Sequence, residues 1–153
     1  MDTFLIVIHA LAAIVWSGGT VALVFVGVPT VRLLEGGERA SLMRELGVRW
    51  RPIGWGALLT LVATGLVIAG RDHAFSGAGT EFQVVLGVKC GLIVLMLVGT
   101  YFHDFVFGPR LAQEIRERRE QGTRPTMVRV GWANFALIML IPALGVWLTE
   151  MGR

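Results

Sequence analysis

The sequence predicts an all-α integral membrane protein, a four-helix transmembrane bundle with its N-terminus out and its C-terminus out. Three observations carry this reading. Hydrophobic residues make up 54% of the chain and charged residues only 16%, against roughly 25% charged in soluble globular proteins. Four apolar runs each reach the length of about 20 residues that a helix needs to cross a bilayer. The basic residues, finally, are divided unequally between the connections.

The first run, Phe4 to Val28, begins after a single early charge, Asp2, and has no basic segment before it. It is also longer than the apolar core of a secretion signal, so it is expected to stay on the mature protein. The second run spans Ile53 to Gly70, the third Phe82 to Phe107 and the fourth Val130 to Thr149. Pro29, Pro52 and Pro109 stand at run edges, where a missing amide is tolerated, and are expected to punctuate helices. Pro142 lies inside the fourth run and is expected to kink it.

Between runs one and two lie Arg32, Arg39, Arg44, Arg49 and Arg51, and between three and four lie Arg110, Arg116, Arg118, Arg119, Arg124 and Arg129. The remaining connection holds only Arg71, and the ends add only Arg153. Positive residues concentrate in cytoplasmic loops, so both termini are expected outside. In ERASLMRELGVRW, Leu42, Leu46 and Trp50 recur at helical spacing, which predicts a short interfacial helix. QEIRERREQG reads as an extension of the third helix into the cytoplasm. No polar linker, low-complexity segment or internal repeat divides the chain, so residues 1–153 are expected to form one domain. The pI near 10 reflects arginines placed beside apolar runs, where anionic lipid rather than nucleic acid is the neighbour. The lone Cys90 excludes an internal disulfide and a cysteine cluster.

Ionisable residues inside such runs are costly and usually face a bundle interior or a partner. At a rise of about 1.5 Å per residue, His9 lies about 8 Å and Lys89 about 10 Å below the outer ends of their helices, so the two share a level. At 100° per residue, Trp16 and Thr20 fall within roughly 20° of His9, and Met96 and Thr100 within roughly 20° of Lys89. His103, with Asp104, lies on nearly the same side of helix three but about 21 Å further along. A separate polar cluster of His103, Asp104 and Asn134 is therefore expected near the cytoplasmic end. Gly87 and Gly91 form a GxxxG pair on the side opposite Lys89, a face suited to close helix approach and to a homodimer. His73, in the outer loop, is expected to be solvated.

A neutral histidine held between helices is a good ligand for haem iron. Copper(I) prefers sulfur, yet the six methionines are scattered and Cys90 is the one thiol. HExxH, P-loop, Rossmann and Ser-His-Asp patterns are absent.

Several stretches resemble the CopD (copper resistance D) family and the related HemJ-type protoporphyrinogen oxidases. FLIVIHALAAIVWSGGTVALVF resembles the first membrane helix of both, with a histidine and a tryptophan seven positions on, here His9 and Trp16. RPIGWGALLTLVATGLVIAG is similar to the second helix, with its TG pair at Thr64 and Gly65, and the lysine of LGVKCGLIVLML to the family lysine, here Lys89. YFHDFVFGPRLAQ resembles the end of helix three in small CopD-like proteins. VGVPTVRLL departs from the HemJ pattern, and Lys89 and His103 stand farther apart than the HemJ pair, so CopD is the closer likeness.

The resemblance implies a haem-binding or copper-linked bundle of the cytoplasmic membrane, with His9 as the metal ligand. Three readings follow. The first is a haem b protein with a redox or electron-transfer role and an unidentified redox partner, its cofactor held by His9, Lys89, Trp16, Met96 and Thr100. The second is a HemJ-type oxidoreductase. The third is a copper-handling permease using His9 and Met96.

Overall fold

The chain is described by a computed structural model over residues 3–71, 79–117 and 123–151. Four helices, each long and apolar enough to span a membrane, make up the fold. They are α1 (Thr3–Val31), α2 (Gly36–Arg71), α3 (Thr80–Arg116) and α4 (Thr123–Met151). No strand occurs among the described residues. His73 lies outside them.

The helices run past the apolar stretches. α2 begins at Gly36 rather than Ile53, so the expected interfacial helix and the second membrane helix are one element. Its first part is rich in good helix formers (Glu38, Ala40, Leu42, Met43, Glu45, Leu46), and Arg49 pairs with Glu45 one turn away at 2.6 Å. Ala40 is buried against Leu111 and Ile115 of α3, with Met127 of α4 beside them. That packing holds the extension in line although Pro52, inside the helix, gives its Val48 carbonyl no donor. α3 likewise continues to Arg116. Gly36 has φ of 51°, the left-handed region that glycine enters without strain, and so closes the short turn between α1 and α2.

Pro29 and Pro109 do not end their helices either. Each follows a widened π-helical turn, Leu23–Gly27 in α1 and Phe102–Phe107 in α3. The amide of Val28 bonds to the Leu23 carbonyl, and that of Gly108 to the His103 carbonyl. Bonding five residues back relieves the proline's clash with the carbonyl four residues back, so the chain stays helical. Pro142 lies within α4, which is helical on both sides of it.

α1 packs antiparallel to α2 and α3 to α4. The end carrying Thr3, Arg71, Thr80 and Met151 is called here the terminal end, and the opposite one the basic end. Trp16, Leu58, Met96 and Ile138, one from each helix, form the central core. Elsewhere large apolar side chains point outward, Phe4 and Ile14 being 70% and 67% exposed. Water would not tolerate so continuous a surface, whereas lipid matches it.

Although no repeat is evident in the sequence, the two hairpins are related by a shift of 80 positions. Gly19, Thr20, Phe25, Pro29 and Gly65 correspond to Gly99, Thr100, Phe105, Pro109 and Gly145. Core residues correspond without identity, Trp16 with Met96 and Leu58 with Ile138. One contact between the hairpins is exchanged in the way a two-fold relation requires. Phe25 meets Phe135 at 5.6 Å, and their counterparts Phe105 and Trp55 meet at 5.8 Å. The repeat is hidden in the sequence because a core position specifies volume and apolarity more strongly than residue type.

Candidate cofactor site

At the terminal end the four helices bring His9, Thr64, Lys89 and Gly145 to one level. Thr64 donates its single hydroxyl hydrogen to the Thr60 carbonyl at 2.6 Å. Its oxygen therefore accepts from the His9 ring, whose Nδ1 lies 2.8 Å away. This places a hydrogen on Nδ1, so that in the neutral ring the lone pair is on Nε2. A metal-ligating histidine is held in this way, by a second residue that sets the tautomer and orients the ring.

Gly65 and Gly145 make the room. A Cβ at Gly65 would stand 3.3 Å from Cε1 of His9, and one at Gly145 would stand 3.0 Å from Nζ of Lys89. Both polar side chains thus lie against bare backbone, at equivalent places in the two hairpins. His9 and Lys89 themselves correspond under the shift of 80 positions.

Trp16, Met96 and Thr100 stand apart from this pair. Trp16 is buried and stacked on Trp50, ring centroids 6.3 Å apart, with its rim against Gly54. Its indole Nε1 is buried with no acceptor among the described residues. Met96 fills the core opposite it, one and a half to two turns, about 10 Å, from the level of Lys89. Thr100 is buried and accepts a hydrogen bond from Asn134 at 3.2 Å. These residues form the floor beneath His9 and Lys89.

His103 and Asp104 lie near the basic end, and Asn134 is not bonded to either of them. His103 Nδ1 meets Asp104 Oδ1 at 3.0 Å. Two residues that sequence reasoning passed over complete the cluster. Trp55 donates its indole hydrogen to Asp104 Oδ2 at 3.0 Å. Arg51 donates to the Asp104 carbonyl at 2.7 Å and lies over the Phe105 ring. Both stand in RPIGWG, where the tryptophan two residues from Ile53 passes for an ordinary interfacial aromatic. Gly87 and Gly91 face open space, with no atom within 4 Å of a Cβ placed at either.

The family model for copper resistance protein D, CopD, matches residues 44–148 of the 153. This chain belongs to the CopD family. No curated protein and no solved structure matches it. The CopD match covers Thr64, Gly65, Lys89, His103 and Asp104, while His9 lies before its first residue.

No group of three or more histidine, cysteine, aspartate or glutamate side chains converges among the described residues. His9 and Met96, the pair a copper-handling CopD protein would be expected to use here, sit on different levels of parallel helices and do not meet on one ion. A haem iron asks less of the chain, because the porphyrin supplies four ligands and one axial imidazole is enough to hold it. His9 fits that demand.

Proposed function

We propose that this CopD-family membrane protein is a haem b protein of the cytoplasmic membrane, with a redox or electron-transfer role, whose cofactor is held at the terminal end by His9. The observation that carries the reading is the relay from Thr60 through Thr64 to His9, which puts hydrogen on Nδ1 and, in the neutral ring, the lone pair on Nε2. Haem would supply one-electron chemistry at its iron. The chain's own part is to fix one imidazole, to exclude water with the Trp16 and Met96 floor, and to balance charge. The Lys89 ammonium is placed to hold an anionic group such as a haem propionate, which needs no loss of its proton.

The distribution of arginines supports an orientation with the basic end in the cytoplasm and the His9 site facing outward. An absorption spectrum of the protein purified in detergent tests the reading. A Soret band that is lost in His9→Ala, while the variant still inserts, is the expected result. A wild-type spectrum without a Soret band after expression with ample haem would overturn it.

A further inference from the structure

The two hairpins provide an internal control for the basic end. A widened turn ahead of a proline is built twice, and in α1 it is made wholly of apolar residues, LVFVG. The fold therefore does not need polar side chains there. In α3 the same turn reads FHDFVF. His103 replaces the counterpart of Leu23, Asp104 that of Val24, and Trp55 stands where the other hairpin has Phe135. Three apolar positions have become a bonded chain from Trp55 Nε1 through the Asp104 carboxylate to His103 Nδ1. Polar groups in a membrane bundle that the architecture can do without mark a function.

Their geometry says which one. An ionised carboxylate only accepts, so Asp104 takes the indole hydrogen on one oxygen and the Nδ1 hydrogen of His103 on the other. With hydrogen on Nδ1, the neutral His103 ring carries its lone pair on Nε2, and its side chain remains 35% exposed. Nε2 is turned toward α4 at Gly131, where a Cβ would still be 3.8 Å away, so the glycine leaves the space before it open. The groups facing the pair are Asp104 on its own turn, Arg51 and Trp55 from α2, and Gly131 from α4. The Arg51 guanidinium disfavours a metal cation beside Asp104, and both carboxylate oxygens already accept a hydrogen bond. A proton is the ligand that remains.

We propose that His103 and Asp104 form a proton-accepting site at the basic end of the bundle, distinct from the His9 site and independent of what His9 binds. A proton passes from hydronium, leaving water, or from the hydroxyl of a bound donor, leaving its anion, to the lone pair of Nε2. The imidazolium so formed keeps its Nδ1 hydrogen on Asp104, whose charge stabilises it, as a buried carboxylate does for a catalytic histidine.

The test uses the full chain in lipid nanodiscs with 15N-labelled histidine, resonances being assigned with His9→Gln, His73→Gln and His103→Gln. At alkaline pH, His103 is expected to show hydrogen on Nδ1 and none on Nε2, and on acidification Nε2 should gain hydrogen while Nδ1 keeps its own. Diethyl pyrocarbonate, which attacks bare imidazole nitrogen, should modify His103. Asp104→Asn offers an amide N–H to Nδ1, so the tautomer should reverse and the modification be lost. Gly131→Leu should block modification without changing the tautomer. Should Asp104→Asn not fold, Trp55→Phe keeps the carboxylate–imidazole pair and should keep Nε2 reactive. Hydrogen on Nε2 in the wild-type protein at alkaline pH, or modification that is indifferent to Asp104→Asn, would overturn the proposal.

Discussion

In each hairpin a phenylalanine lies within the widened turn and precedes a proline by four positions, Phe25 before Pro29 and Phe105 before Pro109. Around Phe25 stand Trp132 and Phe135 of the other hairpin. Around Phe105 stand Trp55, Tyr101 and the Arg51 guanidinium. At the terminal end the contrast has the same form, with an imidazole in the first hairpin and an ammonium in the second, each laid against a glycine. Packing repeats, therefore, and chemistry does not. Positions that fill space correspond between halves, while His9 corresponds to Lys89 and the His103–Asp104 pair to Leu23 and Val24.

The largest expected effect concerns the frame in which the halves are compared, because two hairpins related by an axis along the membrane normal must insert the same way round. With Cys90→Ser as background, a cysteine at Gly79 should label with an impermeant thiol reagent from outside, and one at Glu117 only after the cytoplasmic side is opened. Reversed labelling would invert the orientation and move the His9 site to the cytoplasmic face.

Next comes the contrast between ends. His9→Ala should lose most of the bound haem, and Lys89→Met should weaken its retention or shift its spectrum. His103→Ala should leave the spectrum nearly unchanged, since His103 lies about 21 Å along the axis from the Lys89 level. Loss of haem in His103→Ala with a silent Lys89→Met would place the cofactor at the basic end.

A smaller effect separates the paired glycines. A side chain at Gly19 would overlap the rigid Trp50 ring, so Gly19→Ala should cost about 1–3 kcal/mol, the usual range for overpacking. At Gly99 the obstacle is the Asn134 amide, which can rotate away at the loss of its bond to Thr100, worth about 1 kcal/mol. Gly18→Ala meets nothing within 4 Å and should be neutral or stabilising, because alanine is the better helix former. Thermal unfolding in detergent reads all three. Equal costs at Gly19 and Gly99 would mean that the two halves resist compression alike.

What the sequence could disclose follows from the same division. Apolar run length and arginine placement expose the four-helix membrane class, because both act along the chain and need no partner. The level shared by His9 and Lys89 was legible for a related reason, since helical rise converts residue number into depth. Helix ends were not, because the continuation of α2 through Pro52 depends on Ala40 packing against Leu111 and Ile115, a contact between residues far apart in sequence. Thr64 belonged to a motif, but its part in setting the His9 tautomer needs the fold. Nor could Asn134 be assigned correctly by depth alone. It lies near His103 in level yet is turned to Thr100 in the core, a choice made by which face of α4 meets Gly99.

The smallest expected effect is also the most discriminating, since it asks whether the polar turn can be exchanged for its apolar twin. The triple variant Trp55→Phe, His103→Leu, Asp104→Val gives the second hairpin the residue types of the first at the corresponding places. Replacing a half-buried polar cluster as a whole by apolar groups of similar size is often neutral or stabilising, so the triple variant should unfold within about 1 kcal/mol of the wild type. Arg51 keeps its acceptor, because it bonds to the backbone carbonyl of residue 104 and not to the side chain. Asp104→Val alone is different. It strands the part-buried Trp55 indole hydrogen, and a donor left without a partner costs up to about 1–3 kcal/mol. The expected pattern is thus a single substitution more harmful than the triple that contains it. If the triple variant were as unstable as Asp104→Val, the polar turn would be required by the fold of the second hairpin, and the internal comparison that assigns it a proton-accepting role would lose its ground.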